Sequence, residues 1–174
     1  MGVQSSFGFT LGRMEKGKLN KITDVPGVRV GHVTRHEGGI NTGVTAILPH
    51  TGDTFHDKCP AASHVINGFG KSIGLVQVNE LGTIETPLLL TNTLSVGTAA
   101  TALVKYMLER NADIGCDTGT VNPMVFECND GHLNDIRGLH VTEQNALDAL
   151  ANAVDDFEAV SYTHLRAHET PEHL

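Results

Sequence analysis

The 174-residue sequence contains no tryptophan, and aromatic residues make up only 5% of it. A core without large rings has to be filled by closely packed small and aliphatic side chains. The 19 glycines permit that approach and allow many tight turns, which suits a packed sheet better than a helical bundle. Basic residues are also scarce: 12 Lys and Arg stand against 20 Asp and Glu, a formal net charge of −8. Nucleic acid is therefore not an expected partner, because phosphate binding needs a basic face. No apolar run reaches the roughly 18–20 residues of a membrane-spanning helix, so no membrane partner is expected. The N-terminal stretch MGVQSSFGFTLGRMEKGKLN lacks the charged-then-apolar pattern of an export signal, and a cytoplasmic location is expected. The three cysteines, Cys59, Cys116 and Cys128, are odd in number and lack CxxC spacing. They predict reduced thiols rather than a disulfide framework or a zinc site.

What is present suits one domain of ordinary size, able to bury about two-thirds of its unfolded surface without covalent staples. Residues 1–21 are polar and glycine-dotted, and read as a loosely held arm. From Ile22 the pattern becomes strand-like. VRVGHV alternates, Gly38, Gly39 and Gly43 space a loop, and VTAIL (44–48) follows as a second strand. Further strands are predicted at SHVI (63–66), GLVQV (74–78), PLLLT (87–91) and PMVFE (123–127). A helix capped by Ser95 is predicted to run to about Arg110. A second, capped by Thr142, carries an apolar stripe of Ala146, Leu147, Leu150, Ala151 and Val154. Strands precede helices more than they alternate with them, so the expected class is α+β, a layered sandwich. The end of the chain, SYTHLRAHETPEHL (161–174), holds three of the ten histidines and shows no period. From about residue 159 it resembles translated sequencing adapter and is set aside as non-native.

Few stretches have the pattern that chemistry demands. NGFGKS (67–72) nearly matches a phosphate loop, but Val65 stands where that loop needs glycine. An inter-strand turn is the better reading. His32 and His36 are four residues apart in a glycine-rich segment without the glutamate of a zinc-binding helix, so they read as solvated or locally bonded. Cys128 follows Glu127, whose charge would raise a thiol pKa, and reads as a small core residue. Ser95 sits where backbone N–H groups converge, a good place for an oxyanion, yet capping alone explains it. Two candidates remain. Glu80 precedes Leu81-Gly82 at an expected strand end and is placed to project into a cleft. The loop ECNDGHLND offers Asn129 and Asp130-Gly131 for a turn, but it fails as a calcium loop because Leu133 occupies a ligand position. Asn134 is left as a side-chain N–H donor with no structural task.

At these residues a resemblance emerges. ITDVPGVRVGH, GVTAILPH, LVQVNELGTIETPLLLTNTLSVGTA and ECNDGHLNDIRGLHVT, in that order from about Ile22 to Asp156, resemble the self-processing D-aminopeptidase and β-peptidyl aminopeptidase family. The resemblance implies an αββα sandwich like that of N-terminal-nucleophile hydrolases but with different connectivity. It also implies a precursor that cuts itself once, exposing a serine nucleophile at the new N-terminus of its β-subunit. Such enzymes remove N-terminal residues from small peptides or amino-acid amides, without metal or other cofactor. Matched by motif, Asn134 is the oxyanion-hole asparagine, supported by Asp135. Glu80 receives the substrate ammonium, and Ile73 lies near the lining of the substrate gorge. The nucleophile-bearing β-subunit is expected to begin just past ANAVDDFE, where the adapter-like tail starts. The expectation is thus a truncated α-subunit over residues 22–158, inactive alone, from a parent that forms a homo-oligomer of processed heterodimers. Two rivals stand beside it: a fragment of a related self-processing acyltransferase, and a non-catalytic binding module.

Overall fold

The computed structural model describes residues 13–66 and 68–158. Its main sheet has five strands in the order β1-β2-β6-β7-β4. Strands β1 (Arg29–Glu37) and β2 (Ile40–Leu48) form a hairpin paired along its whole length. β6 (Leu88–Asn92) lies antiparallel to β2 and parallel to β7 (Met124–Cys128). A parallel pair needs a crossover, and helix α2 (Val96–Arg110) provides it. The short β4 (Ser72–Ile73) closes the far edge against β7. Beneath it, β3 (Cys59–Pro60) and β5 (Thr83–Ile84) make a second, two-stranded sheet.

The glycines between β1 and β2 do not mark a long loop. Gly43 lies inside β2, and the turn shrinks to Gly38-Gly39, with Gly38 at φ +57°. A two-residue hairpin turn requires such positive φ, which glycine adopts without strain. His32 and His36 accordingly lie on β1 and not in a loop. Each has a local partner: His32 Nδ1 lies 2.8 Å from Thr45 Oγ1, and His36 Nδ1 bonds Asn41 Oδ1.

Two other expected strands are absent. Residues 63–66 form none, and Ile66 there is 90% exposed, so no burial rewards extended pairing. The GLVQV segment is helical, as α1 (Leu75–Leu81). Gly74, at φ +98°, ends the strand after Ile73, and a Cβ there would meet Met124 Sδ at 2.2 Å. Gly82, at φ +66°, closes the helix with its N–H on the Val78 carbonyl. Glycines at both ends thus decide a short segment whose three apolar side chains, Leu75, Val76 and Val78, fit either state.

One face of the main sheet, carrying Val44, Ala46, Leu48, Leu89 and Val125, packs on α2 and on α3 (Glu143–Ala151). The helices answer with small residues, Ala99, Ala102, Ala146 and Ala149, all fully buried. The fit is closest at Gly31, where a Cβ would stand 2.1 Å from the Ala149 carbonyl oxygen. Thr142 caps α3 as expected, in a capping box with Asn145. The apolar stripe is shorter than predicted: α3 stops at Ala151, Ala153 enters the core, and Val154 instead bridges to Val30. The opposite face of the sheet is less well covered. By strand alternation it carries Thr45, Ile47, Leu88, Leu90 and Phe126, of which all but Thr45 are only half-buried. The small sheet and α1 pack against its Met124 end. The described residues thus form an α+β structure with two helices on one face of the main sheet. The expected loose arm lies in part outside the described residues, and by Lys21 the chain is anchored through an ion pair to Asp156.

Candidate active site

β6 and β7 end at the same rim of the sheet, and β2, running antiparallel, begins there. The rim therefore collects Asn41 and Thr42 from β2, Asn92 with the start of α2, and the loop that leaves β7 at Cys128. A hydrogen-bond chain crosses it. Asn92 Oδ1 accepts from the Ser95 N–H at 3.0 Å, and Asn92 Nδ2 donates to Thr42 Oγ1 at 2.9 Å. Asn92, and not Ser95, is therefore the side chain that caps this helical entry. Ser95 Oγ is buried and has no hydrogen-bond partner. Cys128 is half-buried rather than a core residue.

The loop after β7 braces itself. Asn129 Oδ1 accepts from the Gly131 N–H at 3.0 Å, a side-chain-closed turn. The Asp130 carbonyl accepts from both Leu133 N–H and Asn134 N–H at 2.9 Å. Further on, His140 Nε2 meets Asp135 Oδ2 at 3.0 Å. The loop is tied to the end of the β1–β2 hairpin by Asp135 N–H on the Gly39 carbonyl at 2.9 Å, by Asn41 Nδ2 on the Leu133 carbonyl at 2.7 Å, and by a third bond to Asn134 itself.

Asn134 sits inside this brace, 6% exposed. Its Oδ1 accepts from the Asn41 backbone N–H at 3.1 Å. An N–H can only donate, so this contact fixes which end of the amide is oxygen. Nδ2 is then the free end, and it is buried with no partner among the described residues. A buried donor left unsatisfied costs about 1–3 kcal/mol, which a fold seldom tolerates without a use. Both carboxylate oxygens of Asp130, 3% exposed, are likewise unpartnered. Unsatisfied donor and acceptor atoms thus gather at one rim beside the N-terminal end of α2, whose backbone dipole favours negative charge. Chemically, the Asn134 Nδ2 donor and the helix end can stabilise an oxygen that becomes negative, whereas the acceptor-only carboxylate of Asp130 cannot.

Glu80 lies elsewhere. It is exposed on α1, and no ion pair among the described residues engages it. α1 starts from Gly74, which abuts Met124 at the beginning of β7, whereas Asn134 follows the end of β7. No hydrogen bond or ion pair among the described residues joins Glu80 to the Asn134 loop. Ile73 is half-buried, pairs with Val125 and packs against the helical core. A cleft of about 380 Å³, lined by Arg29, His50, Tyr106 and Arg110 among others, opens at the end of the sheet away from Asn134. Glu85, buried 5% exposed, serves architecture. Its burial pushes the carboxyl pKa up, but Lys58 and Asn122 bound to it hold the balance below the usual range. Among the described residues no cluster of His, Cys, Asp and Glu is placed to hold a metal. Sequence reasoning missed Asn41, Asn92 and the burial of Asp130. Only Asn92 left a signal, since TNTLS offers several capping residues before the helix.

This fold has close structural counterparts among aminopeptidases. One is the Burkholderia β-aminopeptidase, with TM-score 0.78 and 44% identity over 87% of this chain and 43% of that one. Another is the L-aminopeptidase D-Ala-esterase/amidase of Ochrobactrum anthropi, described as a variant of the Ntn hydrolase fold, with TM-score 0.74 and 35% identity over 83% and 43%. A protein from Pyrococcus horikoshii aligns at TM-score 0.86 and 52% identity, over 89% of this chain and 46% of that one. In sequence, the β-peptidyl aminopeptidase BapA of Sphingosinicella microcystinivorans is 38% identical over 79% of this chain and 36% of its own length. The profile of Peptidase family S58 matches residues 20–162. This chain belongs to that family. It spans less than half the length of these relatives.

Proposed function

We propose that residues 22–158 are the α-subunit portion of a self-processing serine-type aminopeptidase, whose nucleophile-bearing β-subunit is supplied by further sequence of the same precursor. The observation that carries this reading is the buried, unpartnered Nδ2 of Asn134, whose other end is fixed by Asn41. The half-covered sheet face agrees with it, since a second sheet laid on Ile47, Leu90 and Phe126 completes an αββα sandwich.

In this reading a serine hydroxyl of the β-subunit attacks the carbonyl carbon of the N-terminal residue of a small peptide or amino-acid amide. The carbonyl π pair moves to oxygen, and Asn134 Nδ2 donates to the resulting oxyanion. Collapse of the tetrahedral adduct breaks the C–N bond and expels the amine, which leaves with the proton given up by the serine hydroxyl. Water then releases the acyl group by the same path in reverse order. The donor acts where charge develops, so it lowers the barrier more than it strengthens ground-state binding. Glu80 receives the free ammonium of the substrate, Ile73 belongs to the wall beside it, and Asp135 steadies the loop.

Two preparations test the reading: residues 1–174 alone, and residues 1–158 continued into a full-length precursor. The precursor should cleave itself once and hydrolyse aminoacyl anilides, and the isolated chain should show no turnover above background. Reproducible hydrolysis that copurifies with the monomeric 1–174 chain sinks the proposal.

A further inference from the structure

A planar amide has its donor and acceptor ends rigidly related, so whatever holds Asn134 Oδ1 also aims Nδ2. That holder is Asn41, at the tip of the β1–β2 hairpin. Its backbone N–H donates to Asn134 Oδ1 at 3.1 Å, and its side-chain Nδ2 donates to the carbonyl of Leu133, the preceding residue, at 2.7 Å. Asn41 therefore grips the peptide on which Asn134 is mounted as well as the amide itself. Its own side chain is oriented by His36, whose Nδ1 bonds Oδ1. The next residue, Thr42, is 1% exposed and is held by Asn92. The tip cannot drift, because β1 and β2 are paired out to Glu37 and Ile40 on either side of the glycine turn.

We propose that Asn41 is a positioning residue for the oxyanion donor: it touches no substrate and sets the direction of Asn134 Nδ2. The inference rests on the oxyanion reading of Asn134. Small errors of aim are costly in such sites, since a misplacement of about 1 Å can lower a rate a hundredfold. Removing the Asn41 side chain leaves its backbone N–H in place but takes the bond off the Leu133 carbonyl, so the peptide that carries Asn134 is held only by its N–H on the Asp130 carbonyl. The expected loss is therefore partial, about tenfold in kcat, with KM within about twofold.

The experiment uses a full-length processed precursor, with kcat counted per active site by titration of the nucleophile. Asn41→Ala and the equal-sized Asn41→Asp are made alone and together with Asn134→Ala. Asn41→Asp turns an acceptor toward the Leu133 carbonyl, and it should lose at least as much kcat as Asn41→Ala. In the Asn134→Ala background neither substitution should lower kcat further, because a residue that acts only through another has nothing left to aim. An equal loss in both backgrounds overturns the proposal, since Asn41 then acts independently. So does an unchanged kcat in both variants while Asn134→Ala is impaired. If Asn134→Ala is itself fully active, the oxyanion reading fails, and the inference falls with it. If Asn41→Ala does not fold, the isosteric Asn41→Asp decides.

Discussion

Asn134 and Glu80 sit in two short, polar, glycine-containing segments that look alike in sequence and are built in opposite ways. Asn134 is buried, its loop is braced internally, and two strands away the hairpin tip holds its amide. Glu80 rides on a seven-residue helix with glycine at both ends, and its carboxylate stands in solvent. The difference follows from what each group is proposed to do. A donor to a developing oxyanion works through being in place before the charge arrives, so its support must be built into the chain that carries it. A carboxylate that receives an ammonium ion gains strength only when both are removed from water. Its surroundings can therefore come from another part of the protein.

The comparison is broken most directly at Asn134. In a full-length processed precursor, Asn134→Ala should lower kcat by about 10²–10³, or roughly 2.7–4 kcal/mol, with KM nearly unchanged. Steady-state kinetics on an aminoacyl anilide measure this, and a loss confined to KM would remove Asn134 from the transition state. Glu80→Gln in the same enzyme should cost less, about ten- to a hundredfold in kcat/KM, as expected for one charge-assisted hydrogen bond worth roughly 1.5–3 kcal/mol. Discrimination between free and acetylated N-termini should fall with it; undiminished discrimination would take the ammonium away from Glu80.

Asn129→Ala sharpens the contrast within one loop. It removes a turn-closing bond to Gly131, so kcat per folded molecule should stay within a few-fold of wild type, with the cost appearing in thermal stability. Losses in kcat equal to those of Asn134→Ala would mean that the loop acts through its shape alone. The smallest effect is expected far from both regions, where His56 lies between Asp53 and Asp113. Hydrogen bonds that His56 donates to the Asp53 and Asp113 carboxylates raise its pKa. Asp113 is lowered by its bond to His56, and Asp53 is lowered as well, its partial burial being outweighed by His56 and the Phe55 N–H. The imidazolium contribution is complete below its unfolded value and fades as pH rises through the raised folded value. The carboxylate contributions fade as pH falls through their lowered values. The clamp should therefore stabilise most between about pH 4 and 6.5. The Tm difference between wild type and His56→Gln should shrink from pH 6 toward pH 8. A difference that stays flat over that range would show that the clamp carries no charge.

Much of this was legible in the sequence because it depends on local pattern. PLLLT and PMVFE are apolar runs between breakers and became β6 and β7, while Thr142 announced α3 as its cap. GLVQV was misread because a five-residue segment with three apolar side chains carries too little periodicity, and the positive φ of Gly74 and Gly82 is not visible in letters. SHVI had strand-forming residues but nothing to bury them against. At the site, the resemblance singled out Asn134, and the Asp-Gly turn was readable from composition. The grip of Asn41 on that loop was not, because it joins residues 93 apart through a backbone N–H, which every residue but proline possesses.

Gly31 lies at neither end of this arrangement, yet it has a stake in it. With no room for even a methyl group between β1 and the Ala149 carbonyl, α3 rests directly on the strand backbone. That helix begins at Glu143, immediately beyond Val141 and Thr142, and His140 just before them holds Asp135, the neighbour of Asn134. A side chain at position 31 would lever α3 outward and draw the trailing end of the loop with it. The hydrogen atom at that α-carbon thus sets a clearance on one side of the sheet, and the direction of an amide at the rim is a dimension that depends on it.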